Sequence, residues 1–378
     1  MTQIGLYIHI PFCIQKCLYC DFVSITNLSI VKSYINALLQ EIQLKSSPDF
    51  QINSIYFGGG TPSVLSANHI IHICQWIYKL WNIVQQPEVS IEVNPGTISH
   101  DKIHAWQISG INRINIGVQS FHDHHLKLLG RIHTVKQALH AIDCLKDAGF
   151  NNIGFDLMYG LPGQTLHEWR TDLETAIVLN PKHMSCYSLT FESGTQFYEM
   201  MRHKRIVPLS EKIVRQMMHI LMDIMAENRY DHYEISNFAS QKIYRSRHNQ
   251  KYWNHQPYIG LGVAAHSFIN NKRFWNCSHV SDYIYKLHHN NDPTEHSEIL
   301  TREQQLIEWI FLGLRQKEGI LIDKFEQHFS CSFHELFSSV LDELKAIGYI
   351  HVSPLTCCLT DAGRFYLNSI VQKMVDSF

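Results

Sequence analysis

A chain of 378 residues that is 45% hydrophobic and 17% charged can bury about three quarters of its extended surface, which excludes a disordered chain and a disulfide-stapled miniprotein. Lys plus Arg (32) nearly cancels Asp plus Glu (34), so no global field steers the chain to nucleic acid or to acidic lipid. Ten cysteines are too few for a disulfide framework at this length, yet Cys13, Cys17 and Cys20 fall within one short stretch.

The N-terminus has no basic stretch followed by an apolar core and small residues, so it predicts a first strand at 6–10 rather than a secretory signal. Further apolar or β-branched runs at 54–57, 89–93, 113–118, 152–158 and 183–189 predict buried parallel strands. Amphipathic segments at 31–44, 68–81, 101–108, 135–148 and 166–179 predict the helices between them. This βα series predicts a doubly wound sheet or a partial barrel, and both place chemistry at the carboxyl ends of the strands. The distinctive motifs sit at those ends: Cys13 after the first strand, Gly58-Gly59-Gly60-Thr61-Pro62 after the second, and Glu92-Val93-Asn94-Pro95 at the third. Gln119 ends the fourth and Gly160-Leu161-Pro162-Gly163 follows the fifth.

Past Phe191 the pattern changes to a helix at 210–228 and a loop rich in aromatic and basic residues, closing on a linker-like Asp292-Pro293. Helices at 302–314, 323–329 and 333–346, a hairpin within 350–359 and a last helix predict a small winged-helix-like module. The expected parts are 1–190, 191–291 and 292–378. The longest uncharged stretch, 50–78, is broken by three glycines and Pro62, so no membrane span is expected and a cytoplasmic location is.

Cys13-Ile-Gln-Lys-Cys17-Leu-Tyr-Cys20 puts three thiols on one loop, and soft thiolates suit iron–sulfur or zinc. Structural zinc wants four ligands, but no further Cys or His follows at local spacing, and position 22 is Phe. A three-ligand cluster leaves one iron open. Cys74, Cys144 and Cys186 fall in predicted helices or strands as small hydrophobes, and Cys357-Cys358 carries no expected chemistry. His122, His124 and His125 mimic a metal cluster but open a helix, and no ion is expected there.

Tyr7-Ile8-His9-Ile10-Pro11-Phe12 followed by C-x3-C-x2-C resembles the radical S-adenosylmethionine superfamily, in its coproporphyrinogen dehydrogenase-like branch. The resemblance implies an α/β fold: a partial (β/α)6 TIM-like barrel with a C-terminal α+β extension ending in the winged-helix-like module. It implies a 4Fe–4S cluster on Cys13, Cys17 and Cys20, with S-adenosylmethionine on the open iron. Gly59, Gly60 and Thr61 match the glycine-rich strand end that meets the cofactor's methionine moiety. Glu92, Gln119, Arg131 and Asp156 match its polar contacts, and Tyr7 and Tyr19 flank the cluster. A carboxylate suits ribose hydroxyls or an ammonium group, and an arginine suits a carboxylate.

Two groups within the branch differ. Oxygen-independent coproporphyrinogen III dehydrogenases extend the triplet by one further cysteine, where this chain has Phe22, and carry an added N-terminal segment. His248-Asn249-Gln250-Lys251-Tyr252-Trp253 instead matches the H-N-x-x-Y-W motif of HemW-type haem chaperones. That resemblance implies haem binding and transfer to acceptor haem proteins such as respiratory enzymes. The expected roles are His248 as an axial haem ligand, with Lys242, Arg245, Arg247 and Lys251 as propionate partners. Nucleic acid is not an expected partner, and peripheral membrane contact is left open. The alternative is a radical enzyme acting on coproporphyrinogen or another tetrapyrrole.

Overall fold

The structure is a computed structural model and describes residues 1–377. Six parallel strands, β1 (Thr2–Ile10), β2 (Phe50–Gly59), β3 (Asn82–Val93), β4 (Arg113–Gln119), β5 (Ile153–Tyr159) and β6 (His183–Ser188), lie side by side in chain order. The crossings between them carry α1 (Val31–Leu44), α2 (Ala67–Leu80), α3 (His100–Ile108), α4 (Asp123–Leu129), α5 (Val135–Asp147) and α6 (Leu166–Val178). Ends are set by local chemistry. Thr134 with Gln137, and Thr165 with Glu168, form reciprocal capping boxes that start α5 and α6.

The strands alternate. Ile4, Leu6, Ile8 and Ile10 of β1, Ile55 and Phe57 of β2, Val89, Ile91 and Val93 of β3, and Ile114, Ile116 and Val118 of β4 are buried in the main core. The intervening positions carry Gly5, Tyr7 and His9; Ser54, Tyr56 and Gly58; Glu88, Ser90 and Glu92; and Arg113, Asn115 and Gly117. With a side-chain period of two these share the opposite face, the inner wall of a partial (β/α)6 barrel. Hydrogen bonds on that wall, Asn115 Nδ2 to the Tyr56 hydroxyl (3.1 Å) and Ser54 Oγ with His248 Nδ1 (2.9 Å), engage part of its polar surface, while Ser90 Oγ and Asn115 Oδ1 are buried without a partner.

The segment after β6 extends this same sheet. It carries α7 (Gln196–Arg202), α8 (Glu211–Glu227), β7 (Asp231–Glu234), β8 (Asn237–Ala239), α9 (Arg247–Trp253), β9 (Tyr258–Leu261), β10 (His266–Ile269), β11 (Lys272–Asn276), α10 (Val280–His288) and β12 (Thr294–Ile299). Strands β8 and β7 add antiparallel beyond β6, while β9 adds parallel to β1 and leads into antiparallel β10, β11 and β12. The result is one sheet of twelve strands among the described residues. The chain passes from one edge to the other between β8 and β9, and α9 lies on that passage, seated against β2.

A second core begins at Leu306. It joins α11 (Arg302–Arg315), β13 (Ile320–Leu321), α12 (Ile322–Phe329), α13 (Phe333–Ala346), β14 (Ile350–Val352), β15 (Thr356–Leu359), α14 (Asp361–Arg364) and α15 (Leu367–Val375). Its three-stranded sheet runs β13-β15-β14, and Phe325, Phe329, Phe333 and Phe337 are buried in its core with their rings in tilted and edge-on contact. This is the winged-helix-like arrangement expected for the C-terminus. Arg315 pairs with the buried Glu234 of β7, and Glu318 with Arg245 (2.8 Å), tying this module to the sheet. Among the described residues no helix is long and apolar enough to cross a membrane.

Candidate functional site

The loop after β1 is held at both ends. The Cys13 amide donates to the Ile25 carbonyl (2.9 Å) and the Ile25 amide to Pro11 (2.7 Å), while the Leu18 amide reaches the Leu129 carbonyl at the end of α4 (3.2 Å). The Cys20 amide donates to the Cys17 carbonyl (3.2 Å), which folds the second half of the triplet into a turn. All three cysteines are free thiols, Cys13 buried and the other two partly open.

The end of β2 is stitched to this loop. Gly60 and Thr61 amides donate to the Ile10 and Phe12 carbonyls (both 2.8 Å), and Thr61 Oγ1 lies 3.4 Å from Cys13 Sγ. A Cβ on Gly60 would lie 2.9 Å from both of those carbonyl oxygens, closer than real contacts allow. From the other side Arg131, just past α4, puts Nη1 3.4 Å from Cys17 Sγ and donates through Nη2 to the Gly117 carbonyl (2.8 Å). Arg131 also faces Tyr19, so Cys17, Tyr19 and Arg131 form one contact set.

Carboxylates line the wall beside the triplet. Glu92 accepts from the Tyr56 hydroxyl (2.8 Å), and a Cβ on Gly58 would come within 3.3 Å of its Oε1. Burial, helped by the nearby Asp156, pushes the Glu92 carboxyl up to about 7 against the Tyr56 and Gly59 hydrogen bonds. Asp156 on β5 is likewise pushed up to about 6 by burial, opposed by Ser185 and by the Arg113 and Arg131 charges. Gln119, at the end of β4, is buried and takes a left-handed backbone (φ 67°), a rare state for a non-glycine residue. Tyr7 hydrogen-bonds His9 Nδ1 (3.2 Å), and its ring stacks on Tyr56 at 6.3 Å.

The structure thus brings Cys13, Cys17, Tyr19, Cys20, Gly59, Gly60, Thr61, Glu92, Gln119 and Arg131 to the carboxyl ends of β1–β4 and the loops after them, with Tyr7 and Asp156 placed within β1 and β5. His248 is not among them. It lies on α9 against the inner wall, 1% exposed, with Nδ1 on Ser54 and Nε2 on the Tyr252 hydroxyl (2.8 Å). Burial and the nearby Lys251 push it down to about 3, so the ring is neutral and both nitrogens are engaged. In this conformation it offers no free nitrogen to haem iron. Of the four neighbouring cations Lys242 is exposed, and the other three are engaged or buried. Arg245 pairs with Asp231 (2.6 Å) and Glu318, Arg247 donates to the Gln86 carbonyl (3.1 Å), and Lys251 is buried.

Sequence reasoning missed Tyr56, which donates to Glu92, Asn115, which donates to the Tyr56 hydroxyl, and Glu88, which accepts from the backbone amides of Arg247 and His248 (3.1 and 3.0 Å) and seats α9. The signal was present in the period-two spacing of polar residues through the strands.

A three-cysteine loop after the first strand of a partial barrel, under a glycine-rich second strand end, defines a radical S-adenosylmethionine protein. The model of the Radical SAM superfamily matches residues 7–176, and that of the HemN C-terminal domain matches residues 300–366. The chain is 36% identical to the protein named heme chaperone HemW of Lactococcus lactis, over 98% of this chain and 96% of that one. It is 36% identical to its namesake in Bacillus subtilis, over 96% and 97%. The solved coproporphyrinogen III oxidase HemN of Escherichia coli shares the fold, with a TM-score of 0.86 over 100% of this chain and 91% of that one at 21% identity. The chain belongs to the HemW family of radical S-adenosylmethionine proteins. Membership of that superfamily implies a 4Fe–4S cluster and S-adenosylmethionine.

Proposed function

We propose that this protein is a haem chaperone of the cytoplasm that binds haem and passes it to acceptor haem proteins, respiratory enzymes among them. The observation that carries the proposal is similarity running the length of the chain to proteins named heme chaperone HemW. Phe22, 61% exposed where the dehydrogenases have a further cysteine, supports it against coproporphyrinogen decarboxylation.

The residues fit the implied cluster. Three thiols share one pinned loop, and Thr61 and Arg131 each place a donor 3.4 Å from a sulfur, as bound thiolates require. Cys13, Cys17 and Cys20 would hold the cluster, and Gly59, Gly60 and Thr61 would let backbone approach S-adenosylmethionine. Glu92, Gln119 and Asp156 would meet its polar groups, Arg131 would balance sulfur and carboxylate charge, and Tyr7 and Tyr19 would close the sides. Bound there, the pair supplies one-electron chemistry or a redox-sensitive brace. The protein's own part is orientation: the Tyr56 hydroxyl fixes the Glu92 carboxylate, and Arg131 fixes Cys17 relative to β4.

The test is anaerobic. Reconstituted protein is titrated with haem and separately incubated with coproporphyrinogen III, S-adenosylmethionine and reductant. Stoichiometric haem uptake without carbon dioxide release supports the chaperone, and decarboxylation overturns it.

A further inference from the structure

Away from the cysteine loop, the start of α4 meets the start of α6 in a cluster with no part in the function above. His124, His125 and Glu168 each present one ligand atom, and these atoms lie within 4.8 Å of one another. His124 Nε2 is 3.0 Å from Glu168 Oε1, and the two histidine rings are 4.0 Å apart between centroids. His125 is the unusual member. It is 2% exposed, yet neither ring nitrogen has a hydrogen-bond partner, and its Nε2 stops 3.6 Å from Glu168 Oε2. A buried imidazole without a partner is costly unless something fills the gap it faces.

We propose that His124, His125 and Glu168 form a binding site for a divalent transition-metal ion of the zinc class. Two imidazoles and one carboxylate are a donor set that such ions favour, with the remaining position left to water. Tetrahedral ligation at ordinary bond lengths separates ligand atoms by about 3.3 Å, so the site must contract. His124 is the member free to move, since its side chain is 61% exposed and it stands on the first turn of α4.

The Glu168 carboxylate is already oriented, because Oε2 accepts from the Thr165 amide and hydroxyl (both 2.8 Å) in the α6 capping box while Oε1 stays turned to His124. His122 stands outside the ligand set, its Nε2 on the Glu168 backbone carbonyl at 3.2 Å. The ion would join α4 to α6, and α4 runs on to Leu129 and Arg131, the contacts of the cysteine loop. Its place in the fold is that of a brace.

Zinc binding to the full-length, cluster-loaded protein tests this by equilibrium dialysis, because loaded cysteines cannot compete. One zinc per chain is expected, with affinity at least tenfold weaker in His124→Ala and in Glu168→Gln, which keeps the capping box. His203→Ala, at the separate surface pair with Glu199, is expected to bind like wild type. Cobalt in place of zinc is expected to show ligand-field bands without a thiolate charge-transfer band. Unchanged zinc affinity in both site variants, no zinc bound at 100-fold excess, or a thiolate band from cobalt would each overturn the proposal.

Discussion

Glu92→Gln separates a residue kept for binding from one kept for stability. The folded wall raises this carboxyl from 4.5 to about 7, chiefly by desolvation. A carboxyl raised on folding holds its proton more tightly in the native chain. Its contribution to stability therefore falls as pH climbs from about 4.5 to about 7 and is level above that. At 1.36 kcal/mol per unit the full shift corresponds to about 3 kcal/mol, and about 2 kcal/mol remains after allowing for the part of the side chain that water reaches. Glutamine keeps an acceptor for the Tyr56 hydroxyl and carries no charge. The variant is expected to match wild type in thermal melts at pH 5 and to exceed it by a few degrees at pH 8. S-adenosylmethionine binding, measured by equilibrium dialysis on cluster-loaded protein, is expected to weaken at least tenfold, the worth of one charge-assisted hydrogen bond. A variant no more stable than wild type at pH 8, or equally favoured at both pH values, would refute the reasoning.

Gly60→Ala forces a methyl against two backbone carbonyls and is expected to cost about 1–3 kcal/mol and lower iron content on reconstitution. Gly96→Ala, whose nearest contact is an ordinary 3.5 Å, is the control and is expected to change melting by less than 1 kcal/mol or to stabilise slightly. Cys13→Ser, Cys17→Ser or Cys20→Ser is expected to abolish the cluster absorption; a retained visible spectrum would move the ligands elsewhere. His248→Ala removes the partner of two buried hydroxyls, so a loss of about 2–4 kcal/mol in chemical denaturation is expected with haem stoichiometry and Soret position unchanged. A Soret change in a folded variant would return His248 to the haem.

The strand and helix series was legible because each βα unit repeats a strong local pattern. The helices at 31–44 and 333–346 fall where the amphipathic spacing puts them, and Thr134 and Thr165 carry their caps in the sequence. The cysteine loop was legible because all three thiols are local. Less could be read where strands from distant segments share one sheet. Nothing local tells that β9, more than 240 residues past β1, pairs with it, so the segment at 191–291 looks separate in sequence yet extends both edges of the sheet. His248 shows the same limit. The motif places tyrosine four residues on, but only the fold reveals that Ser54 and Tyr252 occupy both ring nitrogens. Likewise His124 and His125 are adjacent in the chain, whereas Glu168 reaches them only through the packing of α6.

Haem transfer from anaerobically reconstituted full-length protein to an acceptor apo-haem protein is the most direct test of the chaperone function. A Soret shift at one haem per chain, followed by its movement to the acceptor and reconstitution of acceptor activity, is the predicted result. Failure to take up haem, together with release of carbon dioxide from coproporphyrinogen III, would contradict it.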